Sequence, residues 1–342
     1  MSVSVVPGQV VGAHRDRVNG AAFSPDGDQF VAGDQAGGLA VYRRAGGLFE
    51  AAASIRVPPY SANSRPRVTA VAWSPDGEHI AVSEGGSLRL RRPAGLAELA
   101  SAFGGLRAIG IGGGGRWLAE LGQSGVSVAE LPSLRHLASH HVYRGDFEYF
   151  RADALGVDPA GSLVAVADNG GQDETAMGLI ENQGAPQVTL IDVHNGARVA
   201  IEAGHFIYTL VFDQWRDRLL TATSIDIGTW TRDGQPLGRF APYPPQPARN
   251  HHPRAVVVTP FAVITTPDVT AHSVELWHPE TFAPLGRADG PDTAGYDWMA
   301  AAPDGRTLLT PEVSKGSGYG IRVWHVTNGT APRPVRGTQH GA

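Results

Sequence analysis

A chain of 342 residues with 42% hydrophobic side chains carries enough apolar material for a large core. Its net charge of −5, with arginines and carboxylates interspersed, argues against a nucleic-acid or anionic-membrane surface dominated by positive potential. The absence of cysteine excludes disulfides, a thiolate metal centre and a cysteine nucleophile, and no stretch approaches the roughly 18 apolar residues of a transmembrane helix.

The chain contains 44 Gly and 25 Pro, a composition suited to many tight turns. Lys315 is the only lysine, which reads as the codon bias of a high-GC bacterial genome. The start, Met1-Ser-Val-Ser-Val-Val-Pro, has neither a basic segment nor a long apolar run, so no signal peptide is expected and the expected compartment is the cytoplasm.

The turn Ser24-Pro-Asp-Gly27 recurs as Ser74-Pro-Asp-Gly77, with a relative at Ala302–Gly305. Each of the first two follows an apolar segment (Val18–Phe23, Val68–Trp73) and precedes another, and such self-similarity is the mark of a repeat architecture. Taken in chain order, blade one reads as Val18–Phe23, Gln29–Gly33, Leu39–Arg43 and Phe49–Ile55, and blade two as Val68–Trp73, His79–Ser83, Ser87–Arg91 and Ala97–Phe103. Blade three offers Ala108–Gly112, Trp117–Leu121 and Val126–Leu131; blade four offers Ala154–Asp158, Leu163–Ala167 and, after a long loop, Val188–Val193. Blade five reads Tyr208–Phe212, Leu219–Thr223, Gly228–Thr231 and Leu237–Phe240, and blade six Ala255–Thr259, Ala262–Thr266, Ser273–Trp277 and Ala283–Arg287. Blade seven has Asp297–Ala302, Thr307–Pro311 and Gly320–Val326, with no fourth strand after them. The fold class is therefore all-β, a seven-bladed β-propeller of four-stranded antiparallel blades. Val3–Val6 is expected to pair beside Ile321–Val326, closing the ring with the N-terminal strand and removing two free sheet edges; Pro334–Arg336 is the competing fourth strand. Residues 1–330 form one domain on this reading and 331–342 a tail.

His14 stands four residues before Val18, Ile191-Asp192 ends a third strand, and Trp277-His278 and Trp324-His325 hold a Trp at the same place. In these residues the chain resembles the WD-repeat β-propellers, with His14 at the place of that family's Gly-His pair and Ile191-Asp192 at that of its Trp-Asp dipeptide. The resemblance runs over essentially the whole chain and is degenerate, with no complete His/Ser/Asp/Trp hydrogen-bonding tetrad legible in any blade. It implies a rigid platform that binds a protein or peptide partner, with no chemistry of its own. Beside it stand the expectations of a monomer with no nucleic-acid or membrane partner, no metal and no cofactor.

Function on such a scaffold gathers on loops at the channel mouth. The loops leading into the inner strands of blades two and three carry Arg65, Arg67 and Arg107. Those of blades four to seven carry Tyr143, Asp146, Glu148, Tyr149 and Arg151; His205 and Tyr208; His251, His252 and Arg254; and Tyr296, Asp297 and Trp298. Aromatic groups supply rigid contact area, and His beside a carboxylate supplies proton transfer near neutral pH. Two readings of this arc follow. In the first it is a partner-binding surface made of Asp146, Glu148, Tyr149, Arg151, Tyr208, Arg254, Tyr296 and Trp298, joined by Asp173 and Glu174 of the long loop Asp168–Gln187. In the second it is a small-molecule active site with His205, His252 and Asp297 as acid–base groups.

Other motifs carry less. Gly110-x-Gly112-x-x-Gly115 precedes a strand and not a helix, so it reads as a hairpin turn instead of a dinucleotide loop. In His140-His141 adjacent strand residues face opposite ways, which is poor geometry for one metal ion. Arg89, Arg91 and Arg92 read as a solvated strand face.

Overall fold

The computed structural model describes residues 3–59, 65–103, 108–122, 125–142, 154–169, 186–243, 253–267, 273–290, 297–314 and 318–327. These form 28 strands in seven antiparallel sheets of four. Among the described residues no helix is long and apolar enough to cross a membrane.

Strand β1 (Ser4–His14) comes first in the chain but belongs to the last blade. Blade one is β2 (Val18–Phe23), β3 (Gln29–Asp34), β4 (Gly38–Ala45) and β5 (Leu48–Arg56). Blade two is β6 (Val68–Trp73), β7 (Ile80–Glu84), β8 (Ser87–Arg91) and β9 (Glu98–Phe103). Blade three is β10 (Ala108–Gly112), β11 (Trp117–Leu121), β12 (Gly125–Glu130) and β13 (His136–His141), and blade four is β14 (Leu155–Val157), β15 (Leu163–Asp168), β16 (Gln187–Asp192) and β17 (Arg198–Glu202). Blade five is β18 (Ile207–Asp213), β19 (Arg218–Thr223), β20 (Ile227–Thr231) and β21 (Pro236–Phe240), and blade six is β22 (Ala255–Val258), β23 (Val263–Thr266), β24 (Ser273–Trp277) and β25 (Pro284–Asp289). Blade seven is β26 (Ala300–Ala301), β27 (Thr307–Ser314) and β28 (Gly318–Thr327), completed by β1 in the order β1-β28-β27-β26.

Chain closure follows the expected pairing, Ser4 opposite Thr327 and Val5 opposite Val326. The strand nevertheless runs on through Pro7-Gly8 to His14, with irregularities between Pro7 and Val10 and between Val11 and His14. Proline is tolerated because β1 is the outer strand, with a sheet partner on one side only. The outer strands β13 and β17, absent from the sequence reading, complete blades three and four.

The repeated turn is built by its own side chains. The Ser24 hydroxyl donates to Asp26 Oδ1 at 2.5 Å and accepts from the Gln29 amide at 2.9 Å, while Gly27 takes φ +75°. Ser74, Asp76, His79 and Gly77 repeat the arrangement at 2.5 and 2.9 Å with φ +81°. The Ser24 hydroxyl first, and then the Asp28 amide, hold the Asp26 carboxyl below its ordinary range. The glycine-rich segment is a hairpin, as its sequence context implied: Gly110 and Gly112 lie in β10, and Gly113–Gly115 turn the chain towards β11.

The core lies between blades. Seven apolar clusters occupy the seven seams, such as Val31, Val41, Ile80 and Val82 between blades one and two, and Phe261, Ile264, Trp324 and Val5 between six and seven. Each sheet is thus buried on both faces near the axis, and packing at these seams supplies most of the apolar stabilisation.

Candidate functional site

The starts of the inner strands form a rim that is laced across seams by hydrogen bonds. Trp298 Nε1 of blade seven donates to the Val18 carbonyl of blade one at 2.8 Å, and Asn19 Nδ2 of blade one donates to the Val68 carbonyl of blade two at 2.6 Å. Asn169, after β15, bonds both Ile207 backbone groups, at 3.1 and 2.7 Å, and Thr209 Oγ1 donates to the Arg254 carbonyl at 3.1 Å. Any group presented on this rim is therefore held by a stiff base.

Seven of the entry-loop residues singled out by sequence lie among the described residues: Arg65 and Arg67, exposed before β6, and five others that fall into two groups. At the seam of blades five and six the Arg254 guanidinium lies over the Tyr208 ring, 5.0 Å from its centroid, and the Phe206 ring packs against that of Tyr208 with centroids 5.0 Å apart. His205 stands half-buried immediately before Phe206. At the seam of blades seven and one, Asp297 forms an ion pair with Arg17, and Trp298 packs against the cluster that contains Val18 and Ile321. His252, Tyr296, Asp146, Glu148, Tyr149, Arg151, Asp173 and Glu174 lie outside the described residues, as do Tyr143, Arg107 and His251. Of the adjacent histidines, His140 is buried and His141 exposed, so one strand does aim them oppositely. No group of three metal-ligating side chains occurs among the described residues.

One reading needs correction. Arg91 is not part of a solvated face: it is buried, its Nε and Nη2 donating to Glu84 Oε1 at 2.9 and 2.7 Å and its Nη1 to the Leu96 carbonyl at 3.0 Å. A carboxylate at the end of β7 draws the guanidinium inward, while burial raises the Glu84 pKa against the opposing pull of Arg91.

Three features escaped the sequence reading. The first is that Arg15-x-Arg17-Val18 before β2 matches Arg65-x-Arg67-Val68 before β6, in equivalent positions and with all four arginines exposed. The second is a buried network in blade one. His14 Nδ1 lies 3.1 Å from Asp34 Oδ2 and the Tyr42 hydroxyl 3.1 Å from His14 Nε2, while Asp34 Oδ1 accepts from the Ala36 and Gly38 amides at 2.9 and 2.7 Å. Burial acts to raise the Asp34 pKa, but His14 and the two amides outweigh it and leave the carboxyl below its ordinary value. Gly12, at φ +81°, lets the Tyr42 hydroxyl approach where a Cβ would sit 2.4 Å from it. The third is a cavity of about 640 Å³ at the periphery, between β1 and the outer half of blade one, with His14, Asp34 and Tyr42 among its lining residues. The spacing of His14, the acid ending β3 and the aromatic in β4 was the available signal for the network; nothing local in sequence marks the cavity.

The same structural position does this work differently elsewhere. Tyr42, Arg91, Trp230, Trp277 and Trp324 all stand opposite the first core residue of the second strand. In blades five, six and seven the indole donates to Thr221, Thr265 and Thr310 at 3.0, 2.9 and 2.9 Å. Blade one thus holds a His–Asp–aromatic part of a tetrad, and three other blades hold a Trp–hydroxyl part.

The family model of the WD domain, G-beta repeat, matches residues 6–42 and 56–91. Both matches end on structurally equivalent residues, Tyr42 and Arg91, and the seven-sheet ring is a seven-bladed β-propeller with WD-type repeats matched over those two segments. This fold commonly serves as a protein-interaction scaffold. No curated protein matches the chain.

Proposed function

We propose that the protein is a binding platform that recognises a protein or peptide partner at the channel mouth. The observation that carries the reading is the rim itself. Half-buried Tyr208 and Arg254 form a cation–π pair on a base fixed across the seam by Thr209, and exposed Arg17, Arg65 and Arg67 stand just before the inner strands of blades one and two. Aromatic and arginine side chains on a stiff support are the groups that dominate protein interfaces. Asp297 has a partner in Arg17 that the acid–base reading did not include, and this favours binding over catalysis at the mouth. On this reading Asp146, Glu148, Tyr149, Arg151, Tyr296, Asp173 and Glu174 extend the same surface.

The test compares the wild type with Tyr208→Ala and Arg254→Ala in affinity capture followed by binding measurements on each recovered partner. A mouth-binding partner loses at least about tenfold in affinity with either variant, as removal of a central contact does. Partners that bind both variants like the wild type refute the reading, provided the variants melt within a few degrees of it.

A further inference from the structure

The cavity of about 640 Å³ lies away from the inner strands, between β1 of blade seven and β4 and β5 of blade one. At one end it is closed by Gln9, whose carboxamide donates to the Phe49 carbonyl at 2.8 Å and accepts from the Phe49 amide at 2.7 Å. Those two bonds are the pair that an added strand would make to the outer edge of β5. They also fix the phase of that edge. Phe49 turns its backbone groups away from β4, so alternation along an antiparallel strand turns those of Ala51 the same way. Beyond Gln9 this edge has no further strand, because β5 ends its sheet.

The remaining walls supply the chemistry. Val10 is 44% exposed and gives an apolar contact. Arg15 and Arg56 are exposed, with no ion-pair partner among the described residues. Asp34 is the only carboxylate in the lining, and it is buried against His14 and the turn amides. The pairing with β4 skips Ala52, so beyond Ala51 the outward groups resume at Ser54 and Arg56, and this bulged edge gives room for about five residues of extended chain at roughly 3.3 Å per residue.

We propose that this groove binds an extended peptide segment bearing carboxylate side chains, which adds to the free edge of β5 beyond Gln9 and sets its acidic groups against Arg15 and Arg56. Strand addition supplies affinity through main-chain hydrogen bonds, and the two guanidiniums supply selectivity for acidic side chains. The site is separate from the channel mouth, so its test does not depend on the mouth reading.

The test uses two fluorescein-labelled hexapeptides that alternate valine with either glutamate or lysine, titrated by fluorescence polarisation. The acidic peptide is expected to bind at least about tenfold tighter than the basic one, and to weaken as salt rises. Arg15→Glu combined with Arg56→Glu is expected to remove that preference. Ala51→Pro, which deletes an outward amide at an edge where proline is tolerated, is expected to weaken binding about tenfold or more with little change in melting temperature. Tyr208→Ala and Arg254→Ala should bind the acidic peptide like the wild type. The proposal is overturned if the acidic peptide shows no polarisation change up to about 1 mM, the weak limit of a specific site. It is overturned equally if Ala51→Pro binds normally, which would mean ionic attraction without a seated strand, or if the mouth variants abolish binding.

Discussion

Deleting Met1–Pro7 tests the closure of the ring quantitatively. The deletion removes Val3 and Val5, each 6% exposed, from the cluster they share with Phe261, Ile264, Leu276 and Trp324. It also removes the ladder from Ser4 opposite Thr327 to Pro7 opposite Trp324, and the 2.6 Å bond between the Ser4 and Thr327 hydroxyls. Burying a valine side chain is worth about 1.5–3 kcal/mol, so two give about 3–6 kcal/mol. Residual burial in the unfolded chain trims this to about 2–5 kcal/mol. For a chain larger than about 250 residues each kcal/mol moves the midpoint by about 2 °C or somewhat less, so the deletion should lower Tm by about 4–10 °C. Differential scanning calorimetry reads the shift directly. Val6, 48% exposed on the same strand, is the internal control: Val6→Ala should stay within about 0.5 kcal/mol of the wild type. A deletion that melts within about 1 °C of the full chain would sink the assignment of β1 to the seventh blade, because two buried valines cannot be lost at so small a cost.

Glu120 offers a pH test. Burial alone pushes its carboxyl up to about 7, and it has no ion pair or hydrogen bond among the described residues. A raised carboxyl pKa costs nothing below the unfolded value near 4.5 and destabilises progressively as pH rises towards 7. Glu120→Gln should therefore match the wild type at about pH 4 and exceed it by about 1–2 kcal/mol at about pH 8, a figure already reduced for partial exposure. Urea unfolding across that range measures the difference, and a difference that does not change with pH contradicts the account. In blade one, Asp34→Ala leaves His14 and two turn amides without their acceptor and should cost about 2–4 kcal/mol at neutral pH. Because the Asp34 pKa is depressed, the stabilisation from its charge is present above the unfolded value of 3.8 and fades as pH falls further, so the gap between wild type and Asp34→Ala should narrow in acid. A gap below about 1 kcal/mol at neutral pH would mean the network is not a structural tie.

What the sequence showed of the fold came from turns and from strands buried on both faces. Ser24-Pro-Asp-Gly27 and Ser74-Pro-Asp-Gly77 fix the phase because their serine, aspartate and glycine each perform a specific bond or dihedral. Outer strands were harder to see. In β13 only His140 is buried, and in β17 only Ile201, so neither shows an apolar period. The N-terminal strand was read short because Pro7-Gly8 looks like a stop, whereas an edge strand absorbs both residues in an irregularity. The candidate site was less legible for a different reason. Tyr208 and Arg254 lie far apart in sequence and meet only because adjacent inner strands bring their starts together, and the same holds for Arg17 with Asp297. Such pairs are properties of a seam, and a seam joins residues through the ring.

The position opposite the first core residue of each second strand shows how a repeat can keep its geometry while losing its signature. It holds tyrosine in blade one, arginine in blade two and tryptophan in blades five to seven, and each ties the third strand to its neighbours by a different bond. A family signature counts residue types and so weakens with each exchange, which accounts for matches confined to residues 6–42 and 56–91 in a ring of seven alike sheets. The exchanges also break the symmetry of the molecule. His14 and Asp34 are buried in the wall of one peripheral groove, and the paired arginines precede only the inner strands of the first two blades among the described residues. Seven equivalent seams would offer a partner seven equivalent sites. Among the described residues the seam between blades seven and one joins a His–Asp–Tyr network to a cavity flanked by Arg15 and Arg56, and on the proposal of an acidic strand docking there, residue-level variation within a shared blade geometry is what sets that seam apart from the others described.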